Sequence, residues 1–410
     1  MTAKRLKIFV SAYACEPDLG SEIGVGWHWM LEMSKYFDLW VLTRESNRVN
    51  IERYFNINQH LNKPKFVYFD LPKRWTFWKK GLRGVRAYYV LWQHFSNRVV
   101  KRTMQENNID IYHHLTYGNA LWAVSRYGQS KTFVWGPTSA GAYTPNEFTK
   151  FYNFKSRTKE FAQRLMTNSL KYNFAYKKRC RDASVILCKT SRTLNAIPAE
   201  YRDKAVLFTD VAVKLIDTTR YKKTTTDEFV YYIAVGRLEA WRGFDLLIES
   251  FAKALVVNPH LKLDILGDGV DRARLQKLIN LLNVGENVSL RGEVSIDDYY
   301  QYMVNADVVV NPTLREGAVT TAFDSMSFAK PLICINTGGY TRYFGDDYSI
   351  VLNHSERFSI IEDLKDAIIT LTDRDLCAAM SKKIVEVRGE FLWENKGKEI
   401  RDLILTRVNG

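Results

Sequence analysis

Asp307-Val308-Val309-Val310-Asn311-Pro312-Thr313-Leu314-Arg315-Glu316-Gly317-Ala318-Val319-Thr320-Thr321-Ala322-Phe323-Asp324-Ser325-Met326 is the stretch on which the fold turns. The run Val308-Val309-Val310 has no polar alternation, which predicts a strand buried on both faces of a parallel sheet. The strand ends at Asn311-Pro312, because proline cannot donate to a ladder. A loop with one acid and one glycine follows, and a helix is expected to begin near Ala318. Asp324 then lies over one turn inside that helix. Strand, glycine loop and helix in this order form the repeating unit of a doubly wound α/β domain.

The same alternation extends in both directions. Strands are expected at 7–11, 39–43, 65–69, 110–114, 132–135, 184–187 and 206–208, then at 229–235, 262–266, 287–290, 307–310, 331–335 and 349–352. Helical patterns fill the intervals. A chain of 410 residues is too long for one ordinary core and fits two domains. The polar, threonine-rich segment 218–228 (TTRYKKTTTDE) is the best boundary. The expected division is 1–215, 216–390 and a terminal helical segment, 391–410, returning toward the first domain. Two such domains facing a central cleft would meet at the carboxyl ends of their sheets, where open α/β sheets bind ligands.

Composition narrows the class. Five cysteines without a CxxC pair argue against a disulfide framework or zinc knuckle and suggest a reducing, cytoplasmic compartment. The short basic N-terminus runs straight into a strand, so no signal peptide is expected. No apolar run approaches the roughly 18 residues that span a bilayer. The net charge of +14 is uneven: residues 1–200 hold 32 Lys+Arg against 14 Asp+Glu, and the remainder holds 27 against 31. Two surfaces serving different partners would account for this.

The chemistry concentrates in the second half. In Gly236-Arg237-Leu238 followed by Trp241-Arg242-Gly243, a glycine turn after a strand is flanked by two arginines at a helix start. Guanidinium forks match phosphate oxygens and helix N-termini attract anions, so this reads as a diphosphate site. By residue type alone, both arginines read equally well as solvated loop charges. Gly267-Asp268-Gly269 permits close backbone approach but is weak alone. In the opening stretch, the free amides of Gly317, Ala318, Val319 and Thr320 can hold phosphate. Glu316 and Asp324 can each bind a diol, one on a sugar and one on a ribose. The plainer alternative is a helix-start charge and an incidental carboxylate. Asp373-Arg374-Asp375, a possible metal motif, lies far from these elements and reads as a turn or helix cap.

Taken together, these residues resemble the retaining, GT-B-fold glycosyltransferases of family 4, the group 1 glycosyl transferases of bacterial surface-polysaccharide assembly. The family signature runs G-R-L…K-G, then G-x-G, then E-G-F-G-x-x-x-x-E-A-M with a proline shortly after. Here these read Gly236-Arg237-Leu238…Arg242-Gly243, Gly267-Asp268-Gly269, and Glu316-Gly317-Ala318-Val319 up to Asp324-Ser325-Met326 before Pro331. Ala14-Cys15-Glu16-Pro17-Asp18-Leu19-Gly20-Ser21-Glu22, His113-His114-Leu115-Thr116-Tyr117-Gly118 and Phe391-Leu392-Trp393-Glu394 extend the resemblance over nearly the whole chain. Three departures bear on the donor sugar: Arg242 for lysine, Ala318-Val319 for an aromatic-glycine pair, and Asp324 for glutamate.

The resemblance implies a UDP- or GDP-linked sugar donor and hexosyl transfer without a metal or other cofactor. Arg237 and Arg242 would stabilise the diphosphate, Glu316 would grip the sugar and Asp324 the ribose. Gly20 and Ser21 would approach the donor phosphate or the acceptor, and His114 would face the reacting sugar. By residue type alone His114 reads as a core histidine. Transfer would proceed with retention through an oxocarbenium-like transition state. The alternatives are a nucleotide-sugar-processing enzyme of the same fold, or a basic nucleic-acid-binding protein.

Residues 73–102 hold nine Lys or Arg and no acid, interleaved with Trp75, Phe77, Trp78, Tyr88, Tyr89, Trp92 and Phe95. Residues 150–181 repeat the theme. Such segments suit an anionic membrane surface, and no nucleic-acid module is recognisable, so no nucleic-acid partner is expected. The expected partner is a lipid-linked or oligosaccharide acceptor. Lys79, Lys80, Arg83 and Arg86 are the cations expected to touch the cytoplasmic leaflet, which would make the protein peripheral on the membrane.

Overall fold

The computed structural model describes residues 5–79, 84–125, 130–315, 319–337, 339, 341–353 and 356–409, with only the backbone described at 21, 319, 341 and 409. Every expected strand forms. The first seven are β1 (Lys7–Ser11), β2 (Asp38–Thr43), β3 (Lys65–Tyr68), β4 (Ile111–His114), β5 (Thr132–Thr138), β6 (Val185–Cys188) and β7 (Ala205–Leu207). The other six are β8 (Val230–Val235), β9 (Leu261–Leu266), β10 (Val288–Gly292), β11 (Val308–Asn311), β12 (Leu332–Ile335) and β13 (Ser349–Leu352).

The chain divides into two compact units. Met1–Gly141, Asn168–Asp210 and Trp393–Gly410 make the first, and Ala142–Thr167 with Val211–Leu392 the second. Residues 142–167 thus group with the second unit, whereas the sequence division keeps them in the first. The reason is local: Phe148 is buried in the second unit's core, and Glu160 pairs with Arg315 at 2.7 Å. The terminal helix Trp393–Asn409 groups with the first unit, where the Trp393 ring lies 5.2 Å from His28.

In the first unit the sheet order is β3-β2-β1-β4-β5-β6-β7, and every pairing is parallel. Ile8, Phe9 and Val10 are fully buried, as a strand covered by helices on both faces requires. Its core is strongly aromatic, with Tyr89, Trp92, Tyr112, Trp135 and Tyr176 among the largest buried side chains. This sorts the aromatics of 73–102: Tyr88, Tyr89 and Trp92 belong to the core, whereas Trp75, Phe77 and Phe95 are exposed.

In the second unit the order is β10-β9-β8-β11-β12-β13, again all parallel. Val308, Val309 and Val310 are fully buried. Helices Phe244–Val257 and Arg357–Thr370 pack Leu247, Ile248, Phe251, Ile360, Leu364 and Ile368 into one core with the strands. Each sheet reverses its winding once, between β1 and β4 and between β8 and β11. Such reversal points open a crevice at the carboxyl ends of the two strands. Among the described residues no helix is long and apolar enough to cross a membrane.

Candidate active site

In the second unit, topology gathers three sequence elements at the β8–β11 reversal. Beyond β8, Gly236 is followed by exposed Arg237 and a short turn over Ala240–Arg242. The turn closes on Gly243 at φ 70°, a left-handed conformation that opens helix Phe244–Val257. A Cβ at Gly243 would stand 2.1 Å from the Pro312 carbonyl oxygen, so only glycine lets this turn lie against the end of β11. The amide of Leu314 donates to the Trp241 carbonyl at 3.0 Å and locks the two loops together. Thr321, in the first turn of helix Val319–Ser327, reaches the Val235 carbonyl at 3.5 Å.

Arg242 folds back over Gly236. A Cβ at 236 would sit 3.5 Å from the guanidinium carbon, so the cation covers the glycine at the mouth of β8. Trp241 holds two guanidinium groups against its ring, Arg242 at 4.3 Å and Arg315 at 4.2 Å. Its indole N–H donates to Glu239. Although burial alone would raise the Glu239 carboxyl, that bond together with Lys159 and Arg315 holds it below its usual value. Trp241, quoted in the sequence motif without a role of its own, thus packs against an arginine from each of the two loops. A tryptophan between two arginine-bearing loops was the available signal.

Gly267 takes φ 118°, and a Cβ there would fall 2.2 Å from the Gly236 carbonyl oxygen. The close approach it permits is thus to the neighbouring glycine turn, and Gly269 likewise backs onto Leu238. Thr313 and Thr337 follow β11 and β12. Both are buried, with hydroxyls that have no hydrogen-bond partner among the described residues. Groups of this kind at a strand's carboxyl end suit a ligand oxygen. Sequence spacing did not single them out.

Glu316, Gly317 and Ala318 lie outside the described residues, as does the side chain of Val319. Thr320 is half-buried on the first turn of the helix. Asp324 lies one turn further on, and its Oδ2 accepts a 2.8 Å hydrogen bond from the Tyr299 hydroxyl. Burial pushes the Asp324 carboxyl up to about 6, against the opposing pull of Tyr299 and the positive charge of Lys214.

The first unit brings its candidates to the β1–β4 reversal. His114 ends β4 and is 1% exposed. Its Nε2 lies 3.2 Å from the Tyr89 hydroxyl, and its Nδ1 has no partner among the described residues. Burial, helped by His113 and Arg179, lowers its pKa to about 3, so the ring is neutral at physiological pH. Gly20 precedes helix Ser21–Ser34 with nothing within 4 Å of where a Cβ would stand. The Ser21 side chain lies outside the described residues. Tyr117 adopts φ 58°, a left-handed conformation costly for an aromatic residue. Its amide donates to Glu22 at 2.6 Å, and its ring stacks 4.6 Å from Tyr89. Burial raises the Glu22 carboxyl, partly offset by Lys189. Glu22 and Tyr117 are quoted in the sequence motifs, but their pairing links positions 95 residues apart and is visible only in the fold.

Asp373 caps helix Arg374–Val387, accepting from the amides of Asp375 and Leu376. Among the described residues no group of three or more His, Cys, Asp or Glu side chains could hold a metal ion.

Residues 216–386 match the family model described as glycosyl transferases group 1. An uncharacterized glycosyltransferase of Methanocaldococcus jannaschii is 35% identical over 205 residues, covering 46% of this chain and 50% of the relative. An N-acetylgalactosamine-N,N'-diacetylbacillosaminyl-diphospho-undecaprenol 4-alpha-N-acetylgalactosaminyltransferase of Campylobacter jejuni is 30% identical over 180 residues, covering 43% and 46%. The chain thus spans about half the length of these curated relatives. The pneumococcal O-GlcNAc transferase GtfA, crystallised with UDP and GlcNAc, superposes with a TM-score of 0.63 at 11% identity, covering 99% of this chain and 100% of that one. At that identity the likeness is one of fold, the two-sheet GT-B architecture. Residues 216–386 of this chain are thus similar to the group 1 glycosyltransferases, and the whole chain shares their two-sheet fold.

Proposed function

We propose that this protein transfers a sugar, with retention at the anomeric carbon, from a UDP- or GDP-linked donor to a lipid-linked or oligosaccharide acceptor. The observation that carries this reading is the Arg242 guanidinium folded over Gly236 at the β8–β11 reversal, beside the start of helix Val319–Ser327. Two cations and a helix N-terminus suit a diphosphate whose negative charge grows as it departs. Arg237 and Arg242 would hold the leaving diphosphate, and that electrostatic role makes a metal unnecessary. Glu316 would bind the donor sugar and Asp324 the ribose. The amides of 317–320, with Gly236 and Gly267, would line the donor.

On the first unit, Gly20 and Ser21 would meet the donor phosphate or the acceptor. His114, neutral at physiological pH, would offer Nδ1 to a sugar hydroxyl. The bond from the anomeric carbon to the phosphate oxygen breaks with its electron pair going to the diphosphate. The acceptor hydroxyl then attacks the oxocarbenium-like centre from the face the diphosphate leaves, and its proton passes to the departing diphosphate oxygen. The diphospho-undecaprenol in the Campylobacter jejuni relative's name supports a lipid-linked acceptor; with such an acceptor the protein would work in surface-polysaccharide assembly at the cytoplasmic face of the membrane.

The test is release of nucleoside diphosphate from a panel of nucleotide sugars, with and without a lipid-linked acceptor extract. Acceptor-stimulated release that Glu316→Ala abolishes is the expected result. Full transfer by Glu316→Ala, or release independent of any acceptor, would contradict it.

A further inference from the structure

Helix Phe154–Asn168 is built inside out. Its least exposed positions, Ser156, Glu160, Gln163, Arg164 and Thr167, fall on one helical stripe, and all are polar. This inner stripe is held by polar contacts within the second unit. Glu160, 5% exposed, pairs with Arg315 and accepts the Thr144 amide at 3.2 Å. Arg164 donates to the Thr144 carbonyl at 3.1 Å, and Gln163 to the Ala142 carbonyl at 3.4 Å. The opposite stripe carries Phe154, Phe161 and Leu165, which are 84%, 69% and 62% exposed, with Met166 beside them at 45%. A helix that serves its own core does the reverse. Contiguous exposed apolar side chains of this kind mark an interaction surface.

We infer that this outward face inserts into the headgroup region of an anionic bilayer, and that it, rather than residues 73–102, is the principal membrane contact. This rests on the reading that the protein works at a membrane. Charge decides the occupant. Exposed Lys155 and Arg157 lie on the same helix, and exposed Lys150 precedes it. The helix's one acid, Glu160, is turned inward and neutralised by Arg315. A second copy of the chain would bring like charges together, whereas anionic lipid supplies the opposite sign and an apolar layer for the rings. Nucleic acid would match the cations but not three fully projecting aliphatic and phenyl side chains. Further along the chain, Tyr172 and Phe174 are also exposed, with exposed Lys171, Lys177 and Lys178 beside them. By contrast, much of the aromatic content of 73–102 is buried: Tyr88, Tyr89 and Trp92 are core residues.

The test is flotation of the full chain with phosphatidylcholine vesicles, with and without phosphatidylglycerol. Three proteins are compared: wild type, the triple variant Phe154→Ser, Phe161→Ser, Leu165→Ser, and the pair Lys79→Gln, Arg86→Gln. The three apolar positions are solvent-exposed, so the triple variant should melt as wild type does. Wild type is expected to bind only phosphatidylglycerol-containing vesicles. The triple variant should bind them about a hundredfold or more weakly, while the Lys79→Gln, Arg86→Gln pair stays within about fivefold of wild type, less than one full cation contact. Unchanged binding by the triple variant would overturn the assignment to this helix and leave membrane binding itself intact. Failure of wild type to bind either vesicle would overturn the membrane reading as well. Equal binding to both vesicles would overturn the charge argument. A concentration-dependent wild-type dimer that the triple variant loses would assign the face to a second copy instead.

Discussion

Because burial holds the Asp324 carboxyl at about 6, the folded chain disfavours its ionised form. The unfolded chain ionises near the usual aspartate value, so stability associated with this group is full below about pH 4 and is lost as pH rises toward 6. Asp324→Asn removes that cost while keeping an acceptor for Tyr299. The variant should therefore be more stable than wild type at pH 8, by no more than about 3 kcal/mol, and the gain should vanish near pH 4. Urea unfolding at the two pH values measures this. A variant less stable than wild type at pH 8 would contradict it. A carboxylate retained against its stability cost is what a ligand-binding role would require. Asp324 was singled out in the sequence by the resemblance of its motif, not by spacing alone. Tyr299, which positions it, was not, because it comes from another helix 25 residues upstream with no local pattern connecting them.

At the scale of elements, glycines separate into those the backbone needs and those it does not. Gly243→Ala and Gly267→Ala each place a Cβ about 2 Å from a backbone carbonyl oxygen, at φ 70° and 118°. Each should cost roughly 2–4 kcal/mol, read as a fall in the unfolding midpoint. Gly20→Ala meets open space at φ −86° and should leave that midpoint within about 0.5 kcal/mol of wild type. A loss of activity without loss of stability at Gly20 is the outcome expected of a substrate contact. A large stability loss there would make its role structural.

The strands were legible almost residue by residue, because β-branched and aromatic runs buried on both faces leave no competing helical period. The allegiance of residues 142–167 was not legible. It depends on Glu160 meeting Arg315 across 155 residues, and composition alone grouped that basic, aromatic segment with the first half.

Over the whole molecule, two parallel sheets share the same winding, each reversing once at its centre. That repetition follows from the alternation of strands and helices, and it puts the arginine loop of the second unit at the reversal where a ligand is expected. The uneven charge has a parallel explanation. The positive excess in residues 1–200 includes the outward cations of helix Phe154–Asn168, so raising the salt concentration should weaken vesicle binding. Nucleotide binding, which rests on a guanidinium half-buried over Gly236, should be less salt-sensitive. Vesicle flotation and calorimetry at low and high salt would show the difference, and equal sensitivity would argue against two separate surfaces.

If the β8–β11 reversal binds a nucleoside diphosphate, Arg242 is the side chain that should hold it. Titration calorimetry of UDP and GDP into wild type and Arg242→Ala tests this most directly, with melting curves to confirm that the variant is folded. Wild type should bind one of the two nucleotides saturably, and the variant about tenfold or more weakly, as expected for loss of a charge-assisted contact. Unchanged affinity in a folded Arg242→Ala protein, or no binding of either nucleotide by wild type, would contradict it.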